Sequence, residues 1–459
     1  TGVQTCALPI CLDALASGEQ KAMGCQLDQS LYDKVPVFEA LDATTGDNEV
    51  SAATSLEKYA PRRRSQGHQG SCVGWASAYA ARTIVEAVET GKDPNSLVFS
   101  PAFMYNQIAL STDCNGSYTY KALEKLKDGG ALPWDDFPYD VNSCSRKPDR
   151  DELEAARDYR IRDYTRISKS GNAYDIDLAA LKQNIQRGGP VIIAMMVPPS
   201  FSYASSALWE PRSGERDNVE KHGGHAMCVI GYDDNKYGGA VQIMNSWGED
   251  WGDNGLVWVK YDDFLTFARE AFAVHPTTSR VVKPNMFHLK LGLWLRQGSG
   301  GKYIELEQTG NNLFENIEPL QKGESFKIAV NNSLDCYIYI YGMEATGESY
   351  LLFPYEKTSP YFGITGTRLF PKTKSFTVDD VGNKDYMAVI ASKKPLDADK
   401  ILERINNSNK KGFAARVAEA VGSQAIAKPA WDVDAKGITF EGETQGKNVL
   451  MMIFGISKE

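Results

Sequence analysis

Three short stretches carry side chains that could do covalent chemistry together. The first, Ser65-Gln66-Gly67-His68-Gln69-Gly70-Ser71-Cys72-Val73-Gly74-Trp75-Ala76, leads through small residues to one cysteine. The second is Gly223-Gly224-His225-Ala226-Met227-Cys228-Val229-Ile230-Gly231-Tyr232, and the third is Asn245-Ser246-Trp247-Gly248-Glu249-Asp250-Trp251-Gly252. A thiol, an imidazole and a carboxamide suit nucleophilic catalysis: the ring takes or shares the thiol proton, and the amide fixes its tautomer and orientation. Each residue alone has a plainer reading. Cys72 would be a structural thiol in a glycine-rich turn, His225 a satisfied core histidine, Asn245 a turn residue and Gln66 a surface polar. Trp247 and Trp251 would be core aromatics, and Trp251 is read as one. Gly223-Gly224 beside the histidine, and the ordered set of three stretches, favour the chemical reading.

These side chains need elements to hold them. Ala76, Ala80, Ile84 and Ala87–Val88 recur at helical spacing, and Gly91 with Pro94 ends the run, so an amphipathic helix is expected to begin at Cys72. Unpaired N–H groups and the macrodipole at that end would favour a thiolate. Further helices are expected at 101–109 and 120–128. The continuous apolar run Pro190–Val197 fits a strand buried on both faces. Residues 226–232 and 240–245 flank a turn-rich segment as a hairpin, and 256–261 follows as another strand. A helical half would then carry Cys72, and a sheet half His225 and Asn245, across a cleft.

Gln66 through Cys72, Gly70-Ser71-Cys72, His225-Ala226 and Asn245-Ser246-Trp247-Gly248 together resemble the motifs of the papain-like cysteine peptidases. His225 and Asn245 follow Cys72 somewhat farther along than the roughly 130–150 residues usual in that family, in the same order. The resemblance implies an α+β, two-lobed catalytic domain, with Cys72 as nucleophile and His225 as its imidazolium partner. It further implies Asn245 orienting the ring, Trp247 shielding that bond, and Gln66 donating into an oxyanion hole beside the Cys72 N–H. Cys114-Asn115-Gly116-Ser117-Tyr118 is similar to the family segment lining the substrate groove, so Asn115, Gly116, Ser117, Gly224 and Trp247 are expected to meet substrate. Ser117 stands where that segment has its second glycine, and Val73 also departs from the pattern. The resemblance implies a Cys114–Cys144 disulfide and with it an oxidising compartment, against the alternative of two free thiols. The family's usual cysteine three before the nucleophile is Gln69 here, so that second bridge is not expected.

The rest of the chain bounds the reading. A net charge of −9 argues against a nucleic-acid partner. Pro61-Arg62-Arg63-Arg64 reads as a solvated loop. No apolar run is long enough to span a bilayer. His222, His225 and Cys228 step by three along a strand and so alternate faces, which argues against a shared metal ion. The loop beginning Asp233-Asp234 lacks calcium-loop spacing, and His68, His275 and His288 have no motif around them. No cofactor is expected. Residues 1–10, TGVQTCALPI, look like a translated sequencing adapter. Residues 11–45 read as an extended arm, too short for the helical inhibitory propeptide of eukaryotic relatives. Its Met23-Gly24-Cys25 step only loosely resembles a lipid-attachment site, and Cys25 is read as structural.

Residues 46–280 are read as the catalytic domain and 285–459 as a β-rich accessory domain. Strand-like runs at 287–296, 303–308, 325–330, 336–342, 350–353, 375–378, 386–391 and 449–454 surround helical patches at 397–405 and 413–421, suggesting a β-sandwich with a helical insertion. The segment from Tyr337 to Pro395 resembles an uncharacterised bacterial domain often appended to other modules. Three functions are consistent with all this. The first is a secreted or periplasmic bacterial cysteine endopeptidase acting on proteins or peptides. The second is a peptide ligase using the same thioester. The third is a non-catalytic peptide binder that keeps the cleft. Under each reading the C-terminal domain is expected to bind another protein or a cell-surface component.

Overall fold

A computed structural model describes residues 21–42, 48–169, 174–276, 286–344, 346–444 and 446–459. The adapter-like residues, Cys6 and Cys11 lie outside them. The N-terminal half joins a helical layer to an eight-stranded sheet. Its long helical run comprises Cys72–Gly74, the π-helical turns Trp75–Arg82, and Thr83–Thr90. Every residue from Cys72 to Val85 is buried, so this stretch is not amphipathic as its spacing suggested; only the last turn shows a wet face. Helices packed on several sides are buried all round. Helices Pro101–Ile108 and Thr119–Asp128 complete the layer.

Val191–Val197 is buried at every position, as a central strand must be. It pairs antiparallel with Gly223–Asp233 on one side and Ala268–Pro276 on the other. Ala240–Met244 and Leu256–Lys260 extend the sheet beyond Gly223–Asp233. Val73, Ala76, Ala80 and Ile84 share one core with Ile192, Met195 and Val229. The helix bearing Cys72 therefore lies directly on the sheet bearing His225.

The C-terminal half is a sandwich of two seven-stranded sheets, with a second core of its own. Helices Ala398–Asn407 and Phe413–Val421 cover one outer face, against Tyr339, Tyr341 and Met451. The expected strand at 303–308 is in fact two strands. Gly300–Ile304 pairs in one sheet and Leu306–Gly310 in the other, so the chain changes sheets at Glu305. Gly366–Phe370 and Gly437–Glu443 are further strands that the pattern did not suggest. Among the described residues no helix is long and apolar enough to cross a membrane.

The arm is less extended than its polarity implied. Cys25–Gln26 pairs parallel with Ser117–Tyr118. Gln29–Tyr32 makes one helical turn, capped by the Asp28 carboxylate. Tyr32, Val35, Phe38 and Leu41, each three residues apart, are then buried.

Candidate active site

Cys72 opens its helical run, and its Sγ accepts the Ala226 N–H at 3.5 Å. His225 precedes that alanine on the strand, fully buried. Asn245 follows the end of Ala240–Met244. Its Oδ1 accepts the His225 Nε2 proton at 2.8 Å and also the Ser246 N–H at 2.7 Å. With Nε2 committed, Nδ1 is the ring nitrogen left to exchange a proton, and it has no hydrogen-bond partner among the described residues. Trp247 stacks on the imidazole, with centroids 4.4 Å apart and planes 19° from parallel, which keeps water from the His–Asn bond. Cys72, His225, Asn245 and Trp247 are thus brought together from a helix, a strand and a strand end.

Gln66 joins them. Ser246 Oγ donates to its Oε1 at 2.6 Å, which turns Nε2 outward. That nitrogen donates to the Gln69 carbonyl at 2.8 Å and the Ala22 carbonyl at 3.2 Å. Ser246 was not singled out in the sequence, although it sits inside the Asn-Ser-Trp-Gly stretch. Gln69 itself reaches across to the Asp140 carbonyl at 3.1 Å, tying together the two loops above the helix.

Gly116 and Ser117, expected to line the groove, lie against the arm at Gly24. The Ser117 hydroxyl turns inward to the Ile108 carbonyl at 2.8 Å, so its side chain adds no bulk to the wall. Asn115, also expected to meet substrate, is exposed. A disulfide joins Cys114 and Cys144 behind this wall. Cys25, Cys72, Cys228 and Cys336 are free and buried.

The arm lies in the groove. Gly24 donates its N–H to the Gly224 carbonyl at 3.4 Å and accepts the Ser117 N–H at 2.9 Å. The Ala22 carbonyl takes both the Gln66 amide and the Trp247 indole N–H, the latter at 2.9 Å. Two glycines make this approach possible. A Cβ on Gly24 would run into the Gly70 carbonyl, and one on Gly116, at φ 135°, would run into the Gly24 carbonyl. Met23-Gly24-Cys25 is therefore not merely a place for a structural thiol.

This cover reverses the expected electrostatics. Burial pushes the Cys72 thiol up to about 12, outweighing the N–H groups of Ala226, Val73, Cys72 and Gly24 that pull it down. Burial also pushes His225 down to about 4, against the Asn245 bond. A helix N-terminus by itself favours a thiolate; here burial shifts both groups toward their neutral forms, because desolvation exceeds what a few N–H dipoles and the Asn245 bond return.

Glu270 is a further residue that sequence reading passed over. It is 4% exposed beneath the arm. Thr119 Oγ1 donates to its carboxylate, the Asp28 N–H also points at it, and burial pushes it up to about 7. Its strand, Ala268–Pro276, offers no signal beyond a charge among apolar neighbours.

Residues 51–274 match the model of the papain family of cysteine proteases, and residues 319–395 match a domain of unknown function, DUF4384. Mouse (Mus musculus) cathepsin K is 29% identical over 196 residues, covering 42% of this chain and 54% of that protein. Cathepsin B-like CP2 of Giardia intestinalis is 26% identical over 191 residues, covering 41% of this chain and 61% of that protein. The chain thus spans little more than half the length of these relatives. Among solved structures, xylellain, a cysteine protease from Xylella fastidiosa, aligns over 56% of this chain and 97% of its own, with 19% identity and a TM-score of 0.46.

Proposed function

Residues 51–274 belong to the papain family of cysteine proteases, and on that premise we propose that the chain hydrolyses peptide bonds through Cys72, His225, Asn245 and Gln66. In this reading 46–280 is the peptidase domain and 285–459 an accessory domain. Cys72 attacks the peptide carbonyl, and its proton passes to His225 Nδ1. The tetrahedral oxygen is met by the Gln66 amide and the Cys72 N–H. Collapse breaks the C–N bond, and His225 returns the proton to the leaving amine, leaving a thioester on Cys72. Water, deprotonated by the same nitrogen, then cleaves the thioester and frees the acid. Losing the Gln66 donor lowers turnover by about 10²–10³.

One observation carries the reading: a buried imidazole held at Nε2 by Asn245 at 2.8 Å, with Nδ1 unpartnered among the described residues, on the residue before the alanine whose N–H meets Cys72 Sγ at 3.5 Å. Burial favours the neutral form of both groups, so uncovering the groove would favour their ionisation. The disulfide points to an oxidising compartment, so a secreted or periplasmic protein is proposed.

The test treats arm-released protein with a thiol-directed epoxysuccinate at mildly acidic pH and maps the adduct. Stoichiometric labelling at Cys72, lost in His225→Ala, is expected; equal indifference in both proteins would leave a binding protein. Products formed with added amine nucleophiles then separate hydrolysis from ligation.

A further inference from the structure

Between the groove and the sandwich, the rest of the arm is shared by both bodies. Pro36 and Phe38 bond to the peptidase: the Arg166 N–H donates to the Pro36 carbonyl at 2.9 Å, and the Phe38 N–H to the Arg166 carbonyl at 2.8 Å. Val37 faces the other way. Its N–H donates to the Lys357 carbonyl, and its own carbonyl accepts the Ser359 N–H at 3.2 Å. One extended residue thus presents its polar groups to the sandwich while its neighbours present theirs to the peptidase sheet.

The pattern continues along the arm. The Asp42 N–H donates to the Thr367 carbonyl at 2.9 Å. The Asn48 carboxamide brackets the same residue, donating to its carbonyl at 2.9 Å and accepting its N–H at 3.1 Å. Arg368, only 2% exposed, donates Nε to the Glu39 carbonyl at 2.9 Å and its other nitrogens to Asn332 and Ile364. A buried guanidinium needs every N–H satisfied, and here one of its acceptors belongs to the arm. Gln183 grips Leu41 from the peptidase side through bonds of 2.8 and 3.2 Å.

We propose that the C-terminal sandwich is the holder of the arm: its edge at Lys357–Ser359 and Thr367–Arg368 binds residues 37–42 and Asn48 of the same chain and so keeps residues 22–28 in the groove. The proposal rests on reading that groove as the peptidase cleft. Its physical basis is effective concentration. The stretch Tyr32–Leu41, buried on the peptidase side and bonded to the sandwich on the other, presents the covering segment to the groove at about millimolar local concentration. Freeing its sandwich side loosens that clamp and lowers the local concentration.

The test uses the full chain with Val37→Pro, Asn48→Ala and the double variant. Val37→Pro removes the donor to Lys357 and leaves both Arg166 bonds in place; Asn48→Ala removes the Thr367 bracket. Two readouts are taken: hydrogen exchange at residues 22–28, and the rate of Cys72 labelling by the epoxysuccinate. Val37→Pro, which loses one hydrogen bond, is expected to raise both by about fivefold, Asn48→Ala, which loses the two bonds of its bracket, by about twentyfold, and the double variant by about a hundredfold. Cys228 and Cys336 should stay unlabelled. Should Val37→Pro expose those two thiols, it has unfolded and Asn48→Ala decides alone. Faster exchange at 37–42 with 22–28 unchanged overturns the proposal. Faster exchange at 22–28 with Cys72 inert keeps the holder and removes the peptidase reading instead.

Discussion

Residues 22–28 and residues 32–42 of the arm lie against the same body through different chemistry. The first stretch is held mainly by backbone groups, namely one two-residue strand pairing, a 3.4 Å bond from Gly24 to Gly224, and the Ala22 carbonyl beneath Gln66 and Trp247. Cys25 is its one fully buried apolar side chain, with Met23 and Leu27 half-buried. The second is held by buried Tyr32, Val35, Phe38 and Leu41. A single intramolecular hydrogen bond contributes about 1 kcal/mol net, whereas a fully buried apolar side chain contributes about 1.5–3 kcal/mol. The covering segment is therefore the weaker of the two. It can leave the groove while the anchored stretch stays, which is what a reversible cover requires.

The largest effect is expected where the anchor is removed. Phe38 stacks on His275 with centroids 6.2 Å apart, and Phe38→Ala should cost about 3–5 kcal/mol, the range for a buried phenylalanine. Urea unfolding followed by tryptophan fluorescence measures it. A loss below about 1 kcal/mol would mean that the anchor is no stronger than the cover, and the contrast between the two stretches would fall.

The next prediction concerns pH and the cover. Glu270, packed under Cys25 and Asp28, has its carboxyl raised from 4.5 to about 7 by burial. A raised carboxyl pKa means that the covered form holds its proton more tightly than the open one. The cover is then most secure below pH 4.5, loosens as pH rises to about 7, and changes no further above that through this group. Within that window the balance between covered and open forms moves about tenfold for every step of one in pH, so the open fraction should rise by about a hundredfold across it. Glu270→Gln, which cannot ionise, should flatten the change. Cys72 labelling, taken at each pH as the ratio of native chain to Glu270→Gln, cancels the intrinsic pH dependence of the reaction. A ratio constant from pH 4.5 to 7 would detach Glu270 from the cover.

Gly24→Val acts on the cover directly. Its added Cβ meets the Gly70 carbonyl, and overpacking of this kind costs about 1–3 kcal/mol. Cys72 labelling should rise about tenfold or more, with the urea midpoint unchanged. A fall in the midpoint equal to that of Phe38→Ala would show that the two stretches unfold as one unit.

What the sequence disclosed, and what it withheld, follows the same division between side chain and backbone. Cys72, His225, Asn245 and Gln66 could be picked out because their chemistry resides in side chains within short, recognisable stretches. The two-lobed arrangement and the sandwich were legible from apolar periodicity and turn residues. The cover was not: Ala22 and Gly24 act through a carbonyl and an N–H, which every residue owns, so nothing in Met23-Gly24-Cys25 announces a segment lying in a groove. Gly366–Phe370 escaped notice because its buried Arg368 breaks the apolar pattern, and only the Glu39 and Ile364 carbonyls and the Asn332 side chain explain why an arginine can sit there. The expected sign of the thiol shift failed for the same reason. The helix start was visible, but the burial that outweighs it comes from a segment far away in sequence.

The smallest expected effect separates cover from chemistry within a single side chain. The Trp247 indole N–H holds the Ala22 carbonyl at 2.9 Å, while its ring lies on His225. Trp247→Phe keeps an aromatic face over the imidazole and removes only the hydrogen bond, so Cys72 labelling of the full chain should rise about fivefold. The Gln66 amide touches the same carbonyl at 3.2 Å, but on the proposed mechanism it also meets the developing oxyanion. Gln66→Leu should therefore speed labelling by a similar factor and still depress kcat for peptide hydrolysis by about 10²–10³. If both variants opened the groove equally and both kept full turnover, the amide would serve the cover alone. The oxyanion donor would then have to be sought in the backbone at Cys72.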